Sequence, residues 1–130
     1  MIVLDASVLI AYLDGEDIHH SRAETLLARE IDDDFVANSL TLAEVLVVPV
    51  RENRLDAVRA ALQDLELGEL ELPLPADTAA KLADLRASTN LKMPDCCVLL
   101  SAEDARARVA SFDDRLADAA ATRNLVVVGD

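Results

Sequence analysis

The chain opens on a short apolar segment that ends in a carboxylate. Ile2, Val3 and Leu4 form an uninterrupted apolar run, which is typical of a strand buried on both faces. A second apolar run follows at once, over 7–13, and predicts a helix that packs on this strand. Asp5 is therefore expected at the carboxyl end of a central strand, the edge at which open α/β sheets bind ligands. A carboxylate placed there is costly without a partner, and a metal ion is the usual one.

Short apolar runs and helical patterns alternate along the rest of the chain. Further strands are predicted at Phe35–Ala37, Leu70–Leu72, Arg108–Ser111 and Leu125–Val128. Further helices are predicted at His20–Glu30, Leu40–Val50, Arg54–Leu67, from Asp77 or Thr78 to Ala87, Asp95–Ala107 and Leu116–Thr122. This alternation predicts a three-layer α/β/α fold with a mostly parallel central sheet of about five strands. The length of 130 residues suits one domain, residues 1–130.

Proline and glycine mark the expected element boundaries. Pro49 is expected to kink or stop the helix that contains it, because proline donates no backbone hydrogen bond. Gly68 is expected to stop the following amphipathic helix. Pro73 and Pro75 are expected to break regular structure after the third predicted strand. Pro94 suits the first turn of the helix over 95–107.

Composition excludes several classes of protein. Hydrophobic residues make up 52%, as expected for a packed domain, and the apolar runs are too short to span a membrane. Aromatic residues make up only 2%, and the net charge is −13, so neither base stacking nor a broad basic face is expected to bind nucleic acid. The cysteines, Cys96 and Cys97, are adjacent and complete no zinc site, and no signal peptide is evident. A cytoplasmic protein with reduced thiols is the simplest interpretation.

Four acids stand out because of their apolar surroundings. Asp5 and Asp113 each follow a predicted strand. Glu44 lies in a helix that is apolar nearly all round, so its charge is not expected to reach bulk water easily. Asp95 lies in the first turn of a helix that continues as Cys96-Cys97-Val98-Leu99-Leu100. Each acid has an ordinary explanation alone: a helix cap for Asp95, a turn for the strand-end acids, and an arginine partner for Glu44.

Taken together, the four acids predict a metal site. In a parallel sheet the strand-end acids lie at one edge, and helix amino ends lie near the same edge. Four carboxylates in one pocket repel one another unless they are protonated or bind a cation. Oxygen ligands without a usable His or Cys favour Mg²⁺ or Mn²⁺, and such sites suit phosphodiester hydrolysis.

Four segments of the chain resemble, in order and approximate spacing, the four acidic motifs of PIN-domain nucleases. These segments are Val3–Ile10, Leu42–Leu46, Leu91–Asp95 and Ala110–Leu116. The chain length is similar to that of VapC toxins of bacterial toxin–antitoxin pairs. The resemblance implies a dimeric, metal-dependent endoribonuclease that a VapB-type antitoxin holds inactive. The apolar helix surface from Arg54 to Leu67 could supply a hydrophobic groove for this antitoxin.

The resemblance also implies the site residues. The acidic site would consist of Asp5, Glu44, Asp95 and Asp113, with Asp114 as the alternative to Asp113, and these acids would bind Mg²⁺ or Mn²⁺. Ser111 matches the small hydroxyl residue that precedes the fourth acid, where it would order the ligands.

Two alternative functions are also compatible with parts of the sequence. One is a catalytically weak binding module whose main role is to occupy an antitoxin that regulates transcription. A phosphoacceptor domain also clusters acids at strand ends, but the last predicted strand here ends in Val128-Gly129-Asp130, without the expected lysine. Arg51, Arg54 and Arg59 could contact phosphate or simply pair with surface acids. His19 and His20 are interpreted as an exposed pair.

Overall fold

Four short strands form one parallel sheet in the computed structural model, which describes residues 1–72 and 77–129. The strands are β1 (Ile2–Leu4), β2 (Phe35–Asn38), β3 (Gly68–Leu70) and β4 (Arg108–Ala110). Their order is β3-β2-β1-β4, so the first strand of the chain is central. Val3 pairs with Val36 on one side and with Val109 on the other. Apart from the half-buried Arg108, every residue of these three strands is buried, which explains their mainly apolar sequences.

Helices cover both faces of this sheet. They are α1 (Ala6–Leu13), α2 (His20–Arg29), α3 (Ser39–Arg51), α4 (Leu55–Asp64), α5 (Thr78–Thr89), α6 (Met93–Ala105) and α7 (Asp114–Thr122). Because successive strand side chains point to opposite faces, Ile2 and Leu4 pack with α1 to α4. Val3 points the other way and packs with α5 to α7. The predicted three-layer α/β/α fold with a parallel central sheet is therefore confirmed.

The prediction for Gly68 and the third strand was wrong by two residues. The amphipathic helix already ends at Asp64, and Glu66 adopts a left-handed conformation (φ 57°) that turns the chain. Gly68 begins β3, and Leu72 lies beyond its end. A Cβ on Gly68 would lie 3.2 Å from Cγ1 of Val36, so this glycine marks a close approach between strands rather than a helix end.

The predicted fifth strand, Leu125–Val128, is reduced to a single parallel bridge between Val109 and Val127. Its two backbone hydrogen bonds, at 2.9 and 2.8 Å, join Val109 to Val126 and Val128. Val126 is 62% exposed, so this edge segment lacks the burial that would extend it into a regular strand.

Proline did not end the helix that contains Pro49. This residue lies in the last turns of α3, which continues to Arg51, and only one intrahelical hydrogen bond is lost there. Pro73 and Pro75 lie outside the described residues. Over the described part of the chain, no helix combines the length and the apolar character needed to cross a bilayer.

Candidate active site

A cavity of about 340 Å³ opens at the edge of the sheet where the strands have their carboxyl ends. It is lined by Asp5, Ala6, Ser7, Glu44, Leu91, Lys92, Pro94, Asp95, Asp113 and Arg115. The structure therefore brings the four acids selected from the sequence to one cavity. Two of them follow the neighbouring strands β1 and β4, and the other two are carried by α3 and α6.

Asp5 is the most buried of these acids, with 7% of its surface exposed. It follows β1 and is the residue from which α1 begins, so the fold fixes its backbone on both sides. Its Oδ2 atom accepts hydrogen bonds of 2.8 Å from the hydroxyls of Ser7 and Ser111. One oxygen of the carboxylate is thus fully engaged by protein donors, and Oδ1 is the atom left for a ligand.

The two hydroxyls that hold Asp5 also hold the loop that follows β4. The oxygen of Ser7 accepts the backbone N–H of Phe112, and the oxygen of Ser111 accepts that of Asp113, both at 3.0 Å. Ser111 therefore lies where the resemblance placed an ordering hydroxyl. Ser7 was missed in the sequence, although its position two residues after Asp5, at the start of an apolar helix, was the available signal.

Asp95 lies half-buried in the first turn of α6. The N-cap residue is Lys92, whose side chain forms no cap hydrogen bond, and within the described residues the Asp95 carboxyl forms no hydrogen bond to the helix amides, so the capping explanation for Asp95 finds no support. Burial, and then the negative charges of Asp5 and Asp113, raise the pKa of Asp95, while the nearby positive charges of Lys92 and Arg115 oppose that rise. The negative charges of Asp5 and Asp113 therefore make ionisation of the Asp95 carboxyl less favourable.

The prediction that Glu44 is shielded from water was wrong. The residue is exposed, because α3 turns an uncovered face to solvent that also carries Leu40 and Val47. Partial burial of its carboxyl, and then the charges of Asp5 and Asp95, nevertheless raise the pKa of Glu44. Glu44 does line the cavity. The apolar residues around it in the sequence, however, did not indicate burial of its side chain.

Asp113 is exposed and caps α7. Its Oδ1 atom accepts hydrogen bonds from the backbone N–H groups of Arg115 (2.9 Å) and Leu116 (3.4 Å). Asp114 lies in the first turn of the same helix, is exposed, and is not among the residues that line the cavity. The geometry thus favours Asp113 over Asp114 as the fourth acid of the cavity.

The donor atoms of this cavity suit a hard cation, because all four acids offer oxygen. The raised pKa values of Glu44 and Asp95 point the same way, since a cation would relieve the repulsion that causes them. Within residues 1–72 and 77–129, however, no group of three or more His, Cys, Asp or Glu side chains is positioned to hold a metal ion. The Oδ1 atom of Asp113, for example, is engaged by helix amides.

Two basic side chains, Lys92 and Arg115, also line the cavity, and the sequence did not single them out. The arginines that were considered for phosphate contact lie elsewhere: Arg54 pairs with Glu52 at 2.6 Å, and Arg51 and Arg59 are not among the lining residues.

The histidine pair also lies away from the cavity lining, and the prediction that it is exposed was wrong. His20 is half-buried, with Nδ1 placed 2.7 Å from the carbonyl oxygen of Ala11. His19, also half-buried, packs its ring against Phe112.

A second cavity of about 510 Å³, here called the α3 groove, lies between α1, α3 and α4. Its apolar lining is Ile10, Leu13, Val45, Val48, Pro49 and Val58, and its acidic lining is Asp14, Glu16, Glu44 and Glu52. Gly15 and Arg54 complete the lining, and Arg54 pairs with Glu52. Glu44 lines both cavities, so the groove leads to the candidate active site. The helix surface over 54–67, which could have supplied a hydrophobic groove for an antitoxin, contributes only Val58 to the apolar lining, and Leu62 and Leu65 are buried in the core.

Comparison with known proteins agrees with this architecture. The sequence model of the PIN domain family matches residues 2–122. The fold is similar to a toxin–antitoxin complex from Klebsiella pneumoniae (TM-score 0.71, 21% identity, 87% of each chain covered). It is also similar to VapC20 of Mycobacterium tuberculosis, a Sarcin-Ricin loop cleaving toxin (TM-score 0.64, 16% identity, 92% of this chain and 95% of that chain).

A third similar structure is VapBC2 of Rickettsia felis, bound to a DNA fragment from its promoter (TM-score 0.72, 13% identity, 98% of this chain and 97% of that chain). The search of curated protein sequences gave no significant match.

Proposed function

Because this chain belongs to the PIN domain family, we propose that it is a metal-dependent endoribonuclease and the toxin of a VapBC-type toxin–antitoxin pair. We propose that residues 1–130 act as one nuclease domain on cytoplasmic RNA. The observation that carries this proposal is the set of four carboxylates, Asp5, Glu44, Asp95 and Asp113, that line one cavity at the carboxyl edge of the sheet. Folds similar to this one occur in solved toxins and toxin–antitoxin complexes.

The four acids would hold Mg²⁺ or Mn²⁺ in this cavity, and because no three of the described side chains are grouped closely enough for an ion, they would have to draw together around it. When bound, such an ion supplies Lewis-acid chemistry for phosphodiester hydrolysis, because it makes water more acidic and polarises phosphate oxygens. The protein's own contribution is orientation: Ser7 and Ser111 fix Asp5 so that its Oδ1 atom presents a lone pair to the cavity. One of the carboxylates would also relay the proton that the attacking water loses.

We propose that the antitoxin binds along the α3 groove. The groove combines an apolar lining with four acids and joins the active-site cavity at Glu44. An antitoxin segment with apolar and basic side chains would match this surface, and its Arg or Lys could reach the carboxylates. A cation there would replace the charge of the metal and block the site, while the net charge of −13 would speed the encounter.

We further propose that the protein is a homodimer formed through the uncovered face of α3. Leu40, Val47 and Val50 are 46%, 44% and 54% exposed, and their spacing of seven and ten residues places them on one side of the helix. Such an apolar stripe on a soluble surface is typical of an interaction site.

One experiment tests the nuclease proposal directly. Purified wild-type protein, without antitoxin, is incubated with total cellular RNA in Mg²⁺, in Mn²⁺ or in chelator, alongside the Asp5→Asn variant. Metal-dependent cleavage is expected from the wild type alone. Asp5→Asn keeps the size of the side chain, so circular dichroism should show an unchanged fold. Equal cleavage by the two proteins would contradict the assignment.

The alternative, a catalytically weak module that mainly occupies a transcription-regulating antitoxin, gives a different result. In that case no cleavage would be seen in any metal, while the protein would still bind its antitoxin. It would then increase the affinity of the antitoxin for promoter DNA, as measured by electrophoretic mobility shift. The similar VapBC2 structure, which is bound to promoter DNA, makes this second role worth measuring alongside the first.

A further inference from the structure

A chain with 25 acidic and 12 basic residues must bind the backbone of its RNA substrate somewhere, if the proposed function is right. The acids of the active-site cavity repel phosphate, and general electrostatic attraction is absent at a net charge of −13. Contact with RNA therefore requires local basic side chains close to the carboxylates.

Lys92 and Arg115 are the two basic residues among those that line the cavity. Both are exposed, and none of the ion pairs in the described part of the chain includes either of them. Other arginines are neutralised by acids: Arg123 pairs with Glu103 at 2.5 Å, and Arg108 lies within 3.0 Å of both Glu30 and Asp33. The positive charge at the cavity is therefore still available to a ligand.

The two charges also lie beside the carboxylates, because both side chains line the same cavity as Asp5, Asp95 and Asp113. The position of Arg115 is fixed through its guanidinium, which donates a 3.4 Å hydrogen bond to the carbonyl of Asn90 in the loop between α5 and α6. Arg86 donates to the same carbonyl and to that of Leu91, so arginines from α5 and α7 both anchor the loop that carries Lys92.

The geometry separates two binding surfaces around one cavity. Lys92 precedes α6 and Arg115 lies in α7, on the side of the sheet that α5 to α7 cover. The α3 groove is acidic and lies among α1, α3 and α4, on the other side. We propose that the RNA backbone enters over the α5–α6 loop and the start of α7, where Lys92 and Arg115 bind the phosphates that flank the cleaved bond.

This inference rests on the proposed ribonuclease function, and its test separates the two. A fluorescein-labelled, random-sequence 20-nucleotide RNA is titrated with Asp5→Asn protein in Mg²⁺, so that binding is read by anisotropy without cleavage. The same background carries Lys92→Gln, Arg115→Gln, Arg115→Lys or Arg59→Gln. Arg59 is an exposed arginine of α4 that is not among the cavity-lining residues, so Arg59→Gln is the matched control for lost charge.

Each of Lys92→Gln and Arg115→Gln should weaken binding roughly fivefold at 0.1 M salt and lower the slope of log affinity against log salt by about 0.7. Arg115→Lys should retain most of the affinity for RNA, because it keeps the positive charge. Arg59→Gln should change the affinity little. In the cleavage-competent protein, Lys92→Gln should raise KM for RNA by a larger factor than it lowers kcat.

Lys92→Gln keeps the test decisive even if loss of the Asn90 hydrogen bond unfolds Arg115→Gln. The inference is overturned if Lys92→Gln and Arg115→Gln both bind RNA with the affinity and salt slope of the parent. It is also overturned if Arg59→Gln loses as much affinity as they do. In either case the nuclease proposal stands. A parent protein that binds no RNA, together with a wild type that cleaves none, would overturn both.

Discussion

Ser7 and Ser111, which are 104 residues apart in the sequence, donate their hydroxyl protons to the same oxygen of Asp5. Each hydroxyl also accepts a backbone N–H from the loop after β4. The start of α1, the end of β4 and the most buried acid of the cavity are thus joined by four hydrogen bonds. The position of the Asp5 carboxylate, and therefore of any ligand that it binds, depends on contacts between residues 5–7 and residues 111–113.

Ser111→Ala should impair both stability and activity. It deprives Asp5 of one of two donors and leaves the Asp113 N–H unpaired, which we expect to lower the free energy of unfolding by about 1–3 kcal/mol. Loss of such an orienting partner should also lower RNA cleavage by about 10- to 100-fold. Urea unfolding and cleavage rates measure these effects.

The matched control for Ser111→Ala is Ser21→Ala, which removes an exposed hydroxyl from α2. Ser7→Ala should resemble Ser111→Ala in both measurements, because the two hydroxyls share one acceptor. An effect of Ser111→Ala on stability without any effect on cleavage would mean that the cluster is structural only.

Asp113→Asn should abolish most of the cleavage activity and leave the stability nearly unchanged. Asparagine caps helices as well as aspartate does, so the hydrogen bonds to the amides of Arg115 and Leu116 can persist. Asp114→Asn removes an equal charge one residue later, outside the cavity lining, and should leave cleavage intact. Equal losses in the two variants would show that both acids act, and the reverse order would show that the wrong acid was chosen.

Much of this fold could be predicted from the sequence because the central strands are buried on both faces. The apolar run of β1 and the apolar pair Val109 and Ala110 of β4 predict buried neighbouring strands, and together these strands place Asp5 and Asp113 at one edge. The edge elements were harder, because they are short and partly exposed. Glu66 turns the chain without being a glycine, and Gly68 serves a strand contact, so the usual signal for a helix end misled the prediction.

The four acids of the site could be predicted from the apolar sequences around them. The other side chains that line the cavity or bind these acids could not. Ser7, Lys92 and Arg115 are ordinary surface residue types, and only the three-dimensional contacts reveal their roles. Glu44 shows the converse: the apolar helix around it suggested burial, whereas the exposed face of α3 is uncovered in the single chain. Sequence patterns report the burial of side chains and do not distinguish a core from an interface.

Val47→Glu should convert the proposed dimer into a monomer. The substitution places a charge at the centre of the exposed apolar face of α3, and burial of that charge against a second copy would be costly. Light scattering coupled to size exclusion measures the mass. The control is Ala57→Glu, which adds the same charge to an exposed site on α4. A monomeric wild type, or a dimeric Val47→Glu variant, would contradict the assigned interface.

Val48→Lys should weaken antitoxin binding. Val48 lines the α3 groove and is 50% exposed, so lysine there replaces an apolar contact and repels a basic segment. Loss of a buried valine contact of about 1.5 kcal/mol corresponds to roughly tenfold lower affinity. Calorimetric titration with the antitoxin measures it, with Val126→Lys, on an exposed site beyond β4, as the control. Unchanged affinity for Val48→Lys would place the antitoxin on another surface.

Removal of the Asp95 charge should stabilise the metal-free protein at neutral pH. The raised pKa of Asp95 means that its ionised form is less favourable in the folded state than in the unfolded chain. The folded state therefore binds more protons, and the free energy of unfolding falls as pH rises from the ordinary value of 3.8 through the raised one. This penalty is small at low pH, complete above the raised pKa, and absent in Asp95→Asn.

Thermal unfolding of wild type and Asp95→Asn in chelator, from pH 4 to pH 8, measures this penalty as the difference between the two curves. The difference should be smallest at pH 4 and reach a plateau above the raised pKa, with Asp95→Asn melting no lower than wild type. Mg²⁺ at a hundredfold excess over its Kd should stabilise the wild type by about 2.7 kcal/mol, and the variant by less. A metal-free Asp95→Asn protein that melts well below wild type would instead show that Asp95 supports the first turn of α6, and the cavity would lose one of its four acids.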